Sequence, residues 1–350
     1  MIDQPVVELR SDNAASVAPE IIEAIAAANE GTALAYGGDE VTDRLQAQVR
    51  ELFEHDGARI FPVTSGTGGN ALGLSALVPP WGAVVCHPTA HITANEPGST
   101  SLFSAGAQLT YVDGDRKLID CDRFARFLEL FPWNDPHNSQ PSVVSVTQPT
   151  DFGTVYPLDH LRELTSIAGR HGLRAHLDGA RFANAIVALG CSPADATWRS
   201  GIDVLTLGAT KNGGLSAELI VSFDDVASNE LHFRTKRAGH VTSKMRFQSA
   251  QVAAHLADDL WLRLAGNSNR TMQRLAAGLT ELGVEFVEEP DVNMLFLRLA
   301  DDAADALEQS GVAFYRITPG VIRFVTSWQT TDDEVDTALE LVGKALANVG

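Results

Sequence analysis

Short β-rich apolar runs alternate with helical stretches from about residue 58 onward. The apolar runs are RIFPVT, AVVC, QLTYV, SVVSVTQ, LRAHLD, DVLTLGA and AELIVSF. Helical stretches connect them, among them GNALGLSALV and a segment from Pro157 to about His171. This alternation is typical of a parallel sheet with crossover helices, and the nearly continuous apolar runs indicate strands that are covered on both faces. We therefore expect an α/β fold whose mostly parallel sheet is flanked by helices.

A different pattern follows Phe223. Long helical stretches around residues 248–283 lead into VEFVEE, VNMLFLRL, a helix, FYRI, VIRFVTS and a last helix. This succession predicts a smaller α+β unit at the C-terminus. A chain of 350 residues is long enough for two domains. We place a large domain at residues 1–255 and a small domain at 256–350.

The composition excludes several classes of partner. A net charge of −19 disfavours nucleic acid and anionic membrane surfaces, which attract basic proteins. The three cysteines are too scattered for a disulfide framework or a C-x-x-C metal site, so we expect no metal and a reducing, cytoplasmic location. The opening MIDQPVVELRSDN has no apolar core typical of a signal peptide, and no apolar stretch approaches the roughly 20 residues of a membrane helix.

A glycine-rich turn, TSGTGGN at 64–70, follows the first strand of the alternating region and opens a helix. Free amides at a helix start favour phosphate, and glycine lets the ligand approach the backbone. A dinucleotide fold would need an acid about 20 residues further on, yet no Asp or Glu lies between Asp56 and Glu96. A single phosphate is therefore a better ligand than NAD. A plain strand-to-helix turn is the alternative explanation.

Three further candidates lie at or near predicted strand ends, where parallel sheets bind ligands. Asp178 ends LRAHLD, with Arg181 three residues beyond, and a buried carboxylate there must be paired or must cap the next helix. Lys211 ends a strand among small residues, where a desolvated lysine can form a Schiff base, although most lysines are surface charge. His91, in CHPTAHITANE, could stack on a planar ring or move a proton, or be an ordinary loop histidine.

In chain order, the phosphate turn, the histidine, the aspartate and the lysine are arranged as in pyridoxal phosphate enzymes of the aspartate-aminotransferase-like fold, fold type I. The sequence resembles the low-specificity threonine aldolases of the β-eliminating lyase group. The motifs that carry this resemblance are TQPTDFGTVY, DGARFANA, GATKNGG and SKMRFQSA. The resemblance runs from LRSDN at 9–13 to VIRFVTSW at 321–328 and covers nearly the whole chain.

The resemblance implies a role for each candidate. Lys211 would carry the pyridoxal phosphate as a Schiff base, Asp178 would keep the pyridine nitrogen protonated, and His91 would stack on the ring. The residues that would hold the phosphate are Gly66, Thr67 and Gly68, and those that would contact the cofactor more widely include Arg181 and Arg246.

The resemblance also implies a substrate site and an assembly. Ser11, Arg181 and Arg323 would bind the substrate carboxylate, with Tyr36 in a loop near the site. The basic segment HFRTKRAGHVTSKMRF, which contains Arg246, would reach the phosphate of a neighbouring subunit in a homotetramer. The expected reaction is cleavage of L-threonine, L-allo-threonine and related amino acids to glycine and an aldehyde.

One departure from the family concerns Asp151. Many threonine aldolases have a histidine in the corresponding T-H-N-G stretch, whereas this chain has PTDFG. A carboxylate differs from an imidazole in charge and pKa, so His91 is the first candidate for the base and Asp151 the second. Other functions stay open: an aminotransferase or a β-eliminating lyase on the same fold, a nucleotide-dependent dehydrogenase, or an inactive scaffold.

Overall fold

A computed structural model describes residues 6–349 of the chain. Its strands are β1 (Val7–Glu8), β2 (Arg59–Val63), β3 (Gly82–Cys86), β4 (Gln108–Tyr111), β5 (Gln140–Thr147), β6 (Arg174–Gly179), β7 (Val204–Leu207), β8 (Glu218–Ser222), β9 (Met294–Arg298), β10 (Val312–Ala313), β11 (Tyr315–Thr318) and β12 (Val321–Val325). Its α-helices are α1 (Pro19–Ala28), α2 (Glu40–Leu52), α3 (Gly66–Leu77), α4 (His91–Ala94), α5 (Ser99–Phe103), α6 (Cys121–Leu130), α7 (Leu158–Arg170), α8 (Phe182–Leu189), α9 (Asp225–Arg237), α10 (Arg246–Leu256), α11 (Leu260–Glu281), α12 (Asp301–Gln309) and α13 (Asp332–Val349).

The central sheet has seven strands in the order β2-β8-β7-β6-β5-β3-β4. The strands from β3 to β7 are parallel to one another, while β8 runs antiparallel to both β7 and β2. Strands β3, β7 and β8 are buried along their whole length. The expected α/β fold with a mostly parallel sheet is thereby confirmed, and the apolar runs of the sequence correspond to its strands.

Helix α3 lies unusually close to the sheet because two of its residues lack side chains. A Cβ atom added at Gly69 would lie 2.6 Å from Cγ2 of Thr206, and one at Gly73 would lie 3.2 Å from Cγ1 of Val204. Both contacts are with β7. The glycines of the TSGTGGN turn therefore serve packing as well as access, and they hold the start of α3 close to the carboxyl end of β7.

A second apolar cluster lies around the antiparallel sheet β11-β12-β9. It joins α11, α12 and α13 with Val7 and Leu9 from the start of the chain, and β1 pairs in parallel with β10. The run VEFVEE, which was predicted to be a strand, does not form one. Phe286 is the residue of this run that makes a β-bridge, and its partner is Leu297. The division at residue 255 stays a prediction.

In the described residues, no helix has both the length and the apolar character needed to cross a membrane.

A steric prediction follows from the tight backbone contact between Gly208 and Ala180. A Cβ atom at Gly208 would lie 2.2 Å from the carbonyl oxygen of Ala180, a main-chain atom that cannot rotate away. We expect Gly208→Ala to lower the free energy of unfolding by about 2 kcal/mol or more, as measured by urea denaturation. Gly169→Ala is the matched control, since no atom lies within 4 Å of the added Cβ in α7. That variant should gain about 0.5–1 kcal/mol, and equal effects of the two substitutions would contradict the packing argument.

Candidate active site

The carboxyl ends of β6 and β7 bring Asp178 next to the turn that carries Lys211. Asp178 pairs in register with Thr206, and its side chain is completely buried. Its Oδ1 accepts a hydrogen bond of 3.1 Å from the amide of Ala180, but its Oδ2 has no partner among the described residues. A buried carboxylate oxygen without a donor is costly, so this atom is available to a ligand that brings one.

Lys211 lies in a single 3-10 turn, Thr210–Asn212, four residues after β7 ends. Gly213 follows with a φ of 91°, a conformation that glycine adopts without strain. Beneath the turn, a carboxylate oxygen of Glu218 accepts a hydrogen bond of 2.5 Å from the amide of Ala209. Burial raises the pKa of Glu218 to about 7 even though the charge of Lys211 opposes this rise. The lysine is thus held on a compact turn above an acidic side chain.

The glycine turn has an open side and a packed side. Ser65 caps α3 by accepting a hydrogen bond of 3.1 Å from the amide of Gly68. A Cβ atom at Gly66 would meet no atom within 4 Å, so this part of the helix start is open. At Gly68, by contrast, an added Cβ would lie 3.0 Å from Nε2 of His240. The turn can accept an anion at its Gly66 and Thr67 end.

His91, the first residue of α4, forms a pair with Asp151 from the loop after β5. Its Nδ1 lies 2.7 Å from Oδ2 of Asp151, which also accepts a hydrogen bond of 3.1 Å from Asn95. Burial alone would lower the pKa of His91, but the hydrogen bond and the charge of Asp151 raise it above its ordinary value. For Asp151, burial raises the pKa, but the hydrogen bond and the charge of His91 outweigh this effect. The pKa of Asp151 is therefore lowered. Each partner therefore stabilises the charged form of the other.

Arg181 is almost completely buried and pairs with Asp12. Its Nε and Nη2 donate to the two carboxylate oxygens of Asp12 at 2.6 and 2.9 Å. Burial raises the pKa of Asp12, but the charge and hydrogen bonds of Arg181 outweigh this effect and lower it. The planar fork of Arg181 is therefore already occupied on one side, and its Nη1 is the nitrogen left to contact a substrate.

Arg323, on β12, is a second arginine near this pair. Its Nη2 donates to the carbonyl oxygen of Arg10 at 3.1 Å, while its buried Nε has no partner among the described residues. Burial and the nearby charge of Arg181 lower the pKa of Arg323. A partly buried guanidinium beside a like charge, with a buried N–H group that has no partner among the described residues, favours an anion as its partner.

Three predicted site residues have other surroundings. Ser11 accepts a hydrogen bond of 3.2 Å from the amide of Asn13 and begins the turn that carries Asp12. Tyr36 lies under the ammonium group of Lys236, and Arg246 contacts the carbonyl oxygen of Gly31 at 3.5 Å. In residues 6–349, neither Tyr36 nor Arg246 makes a hydrogen bond, ion pair or ring contact with the Lys211, Asp178 and His91 group.

Sequence reasoning missed several members of the site. Asp12 lies in the LRSDN stretch, beside the residue that was selected, and Asn95 and Glu96 follow His91 in one continuous stretch. Glu218 begins β8. Glu218 directly precedes the apolar run LIV, which was an available signal, whereas Asp12 and Glu96 lie among polar and small residues and are buried only by the tertiary fold.

The residues present fit pyridoxal phosphate. The unpartnered Oδ2 of Asp178 suits a protonated ring nitrogen, the open start of α3 suits a phosphate, and Lys211 supplies the amine. Between residues 6 and 349, no group of three or more His, Cys, Asp or Glu side chains is placed to hold a metal ion.

Comparison with known proteins identifies the family. Residues 8–302 match the model of the Beta-eliminating lyase family, which is more than half of the chain. The chain belongs to this family. It is also 39% identical over 331 residues to the low specificity L-threonine aldolase of Pseudomonas aeruginosa, with 94% of each chain covered.

Solved structures agree with this fold. A threonine aldolase from Leishmania major superposes with a TM-score of 0.90 at 24% identity, covering 97% of this chain and 99% of that one. A serine palmitoyltransferase from S. paucimobilis, with bound PLP, superposes with a TM-score of 0.72 at 16% identity, covering 100% and 92%. This member of the beta-eliminating lyase family therefore has the fold type I architecture.

The His91–Asp151 pair predicts a window of pH dependence. A raised histidine pKa stabilises the fold below the unfolded value of about 6.5, and this stability is lost as the pH rises through the folded pKa. A lowered aspartate pKa stabilises the fold above about 3.9, and this stability is lost as the pH falls through the folded pKa. We expect Asp151→Asn to reduce the free energy of unfolding most near pH 5–6, with a smaller loss near pH 8 and pH 3.

Denaturant titrations of the cofactor-free protein across this pH range would measure the difference. Asp332→Asn is the control, because Asp332 accepts a hydrogen bond of 2.6 Å from Arg270, and arginines rather than a histidine lower its pKa. Its effect should not fall between pH 6 and 8. A constant effect of Asp151→Asn over the same interval would contradict the charged pair.

Proposed function

We propose that this protein cleaves L-threonine, L-allo-threonine and related L-β-hydroxy-α-amino acids to glycine and an aldehyde, with pyridoxal phosphate as cofactor. The observation that carries this proposal is the free, buried Oδ2 of Asp178 beside the turn of Lys211. Family membership and the high identity to a low specificity L-threonine aldolase support the same reaction. The enzyme is accordingly a lyase.

Lys211 and Asp178 would each bind a different group of the cofactor. The amine of Lys211 would attach the cofactor covalently, and the carboxylate of Asp178 would keep its ring nitrogen protonated. When bound, pyridoxal phosphate supplies the electron sink for the Cα–Cβ bond that breaks. Gly66 and Thr67 would bind the phosphate at the start of α3.

Arg323 and Arg181 would orient the substrate through its carboxylate. The free Nε of Arg323 and the remaining Nη1 of Arg181 are N–H donors on two neighbouring guanidinium groups. Ser11 lies on the turn that leads into Asp12 and would add a hydroxyl group. Fixing the carboxylate would orient the Cα–Cβ bond relative to the cofactor, and this orientation would select the bond that is cleaved.

His91 would accept the proton of the β-hydroxyl group, directly or through a water molecule. Asp151 hydrogen-bonds Nδ1 of His91 and thereby leaves Nε2 to accept the proton. Asp151 is the second candidate for the base. Because its carboxylate is shared by His91 and Asn95, orienting the imidazole is the role that these contacts favour.

We also propose that the enzyme is a homotetramer with sites shared between subunits. Tyr36 and Arg246 lack contacts with the Lys211 group of their own chain, which is consistent with action in a neighbouring site. Exposed apolar side chains near Tyr36 and on α9 support an interface: Leu34 is 75% and Phe233 is 72% exposed. A cytoplasmic location is supported by three cysteines that form no disulfide bond.

The reaction is tested by incubating the enzyme with threonine, allo-threonine, serine and phenylserine. We expect glycine and the matching aldehyde, whereas an aminotransferase or a β-eliminating lyase would release a keto acid. Lys211→Ala should abolish both glycine release and the attachment of cofactor to protein by borohydride, as measured by mass spectrometry. Lys344→Ala, which removes an exposed lysine paired with Glu340, should change neither result. Attachment that persists in Lys211→Ala would assign the cofactor to another residue.

The assignment of Arg323 is tested by Arg323→Lys. An ammonium group cannot reproduce the planar contact of a guanidinium with a carboxylate, so we expect KM for threonine to rise about tenfold or more. Absorbance of the bound cofactor should be unchanged. Arg316→Lys is the control, because Arg316 lies on the adjacent strand β11 and pairs with Asp305 at the surface. Unchanged steady-state kinetics in Arg323→Lys would remove this residue from the substrate site.

A further inference from the structure

Glu96 is a buried carboxylate that the proposed reaction does not use. It follows α4 by two residues, and only 2% of its surface is exposed. Burial and the charge of Asp178 raise its pKa. A carboxyl group in such a place is costly unless its hydrogen bonds serve a purpose.

The contacts of Glu96 reach two parts of the site. Its Oε1 accepts a hydrogen bond of 3.0 Å from Nδ2 of Asn70, which is buried on α3. The same oxygen lies 3.9 Å from Nε2 of His91. The side chain of Thr67 is also close enough to offset part of the rise in pKa by hydrogen bonding. Its Oε2 has the weaker partner, the hydroxyl of Ser99 at 3.4 Å.

We propose that Glu96 is a positioning residue that fixes the imidazole of His91 relative to the glycine turn at the start of α3. The bridge runs from the end of α4 through Glu96 to Asn70. Because Asn70 is four residues beyond Gly66, both lie on the same face of α3. The carboxyl group that lies beside the ring is therefore tied to the turn through a rigid helix.

A carboxyl group lies on each side of the imidazole. Asp151 hydrogen-bonds Nδ1 at 2.7 Å and restricts rotation of the ring, whereas Oε1 of Glu96 lies 3.9 Å from Nε2. The buried Glu96 therefore limits the space beside Nε2 and leaves this nitrogen free to accept a proton. The hydrogen bond to Glu96 is the side-chain contact that Asn70 makes among the described residues. Its Nδ2 donates to Glu96, and its Oδ1 has no partner there.

The bridge needs a hydrogen-bond acceptor but not a charge. A glutamine at position 96 retains an acceptor oxygen for Asn70, whereas an alanine leaves the amide of Asn70 buried without a partner. The two substitutions therefore separate bridging by hydrogen bonds from a purely electrostatic effect of the carboxylate. The identity of the ligand at the turn rests on the proposed function, but the position of His91 does not.

The test compares Glu96→Ala and Glu96→Gln in two measurements. Titration of the cofactor-free protein with pyridoxal phosphate, followed by absorbance, gives the affinity of the turn. Nitrogen-15 NMR of the histidine side chains in the cofactor-free protein reports on the imidazole of His91. We expect Glu96→Ala to weaken the cofactor about tenfold and to shift the His91 signals, while Glu96→Gln stays close to the wild type in both.

Two further variants complete the design. Asn70→Ala removes the same bridge from the helix side and should reproduce both effects, so it also serves if Glu96→Ala does not fold. Asp203→Asn is the control: Asp203 accepts a hydrogen bond of 2.7 Å from Ala175 at the opposite end of the sheet, and burial raises its pKa too. That variant should change neither measurement.

Each outcome has a defined meaning. Unchanged His91 signals in both Glu96→Ala and Asn70→Ala would overturn the proposal, as would a Glu96→Gln variant as impaired as Glu96→Ala. A wild-type protein that binds no pyridoxal phosphate would instead overturn the proposed function, and the NMR comparison would still decide the role of Glu96.

Discussion

The ion pair between Arg181 and Asp12 joins three parts of the chain at one point. Arg181 lies just beyond β6 of the central sheet, and Asp12 belongs to the short turn after β1. The same carboxylate accepts a hydrogen bond of 3.1 Å from Asn293, directly before β9 of the small sheet. Since both charges are buried, removing either partner would leave the other uncompensated, at a cost of about 3–5 kcal/mol.

This pair also determines the charge of the site. Asp12 neutralises Arg181 and takes up two of its nitrogens, so that Arg323 is the guanidinium with the larger unused donor capacity. Without Asp12, the neighbouring charges of Arg181 and Arg323 would repel each other without compensation. With it, one of the two arginines is neutralised. The charge available to an anion beside Arg323 therefore depends on an acidic residue that hydrogen-bonds the other arginine.

Features that depend on local sequence patterns could be predicted, whereas contacts between distant parts of the chain could not. Apolar runs and strand ends are local patterns, so the central sheet and the place of Asp178 near the end of β6 could be predicted. Lys211 was expected to end a strand, but it lies in a turn four residues beyond β7. The partners of Arg181 could not be predicted, because Asp12 is 169 residues away and no local pattern connects them. The run VEFVEE alternates like a strand and lies along the edge of β9 that β12 leaves free, but the chain bends at residues 287–288 and the pairing is limited to an isolated bridge at Phe286 with a hydrogen bond on either side.

Tyr36 and Arg246 were expected near the site because of the motifs that contain them. The contacts that the structure gives them are with Lys236 and Gly31. In contrast, His91 and Asp151 were separate candidates for one role, and the structure joins them in a hydrogen bond of 2.7 Å. Pairing of side chains from different loops depends on the tertiary fold, whereas the chemistry of each side chain can be predicted from its type.

The link from Arg10 to Arg323 has a consequence for the order of folding. The carbonyl oxygen of Arg10 meets a guanidinium 313 residues later in the chain, and Leu9 accepts a hydrogen bond from Val325. During synthesis the first segment leaves the ribosome long before its partners exist, while the central sheet can already form behind it. Closing so long a loop is entropically costly and slow. The pairing of Arg10 with Arg323 is therefore complete only when the last strand has been made, and a chain truncated before β12 would have the central sheet without Arg323.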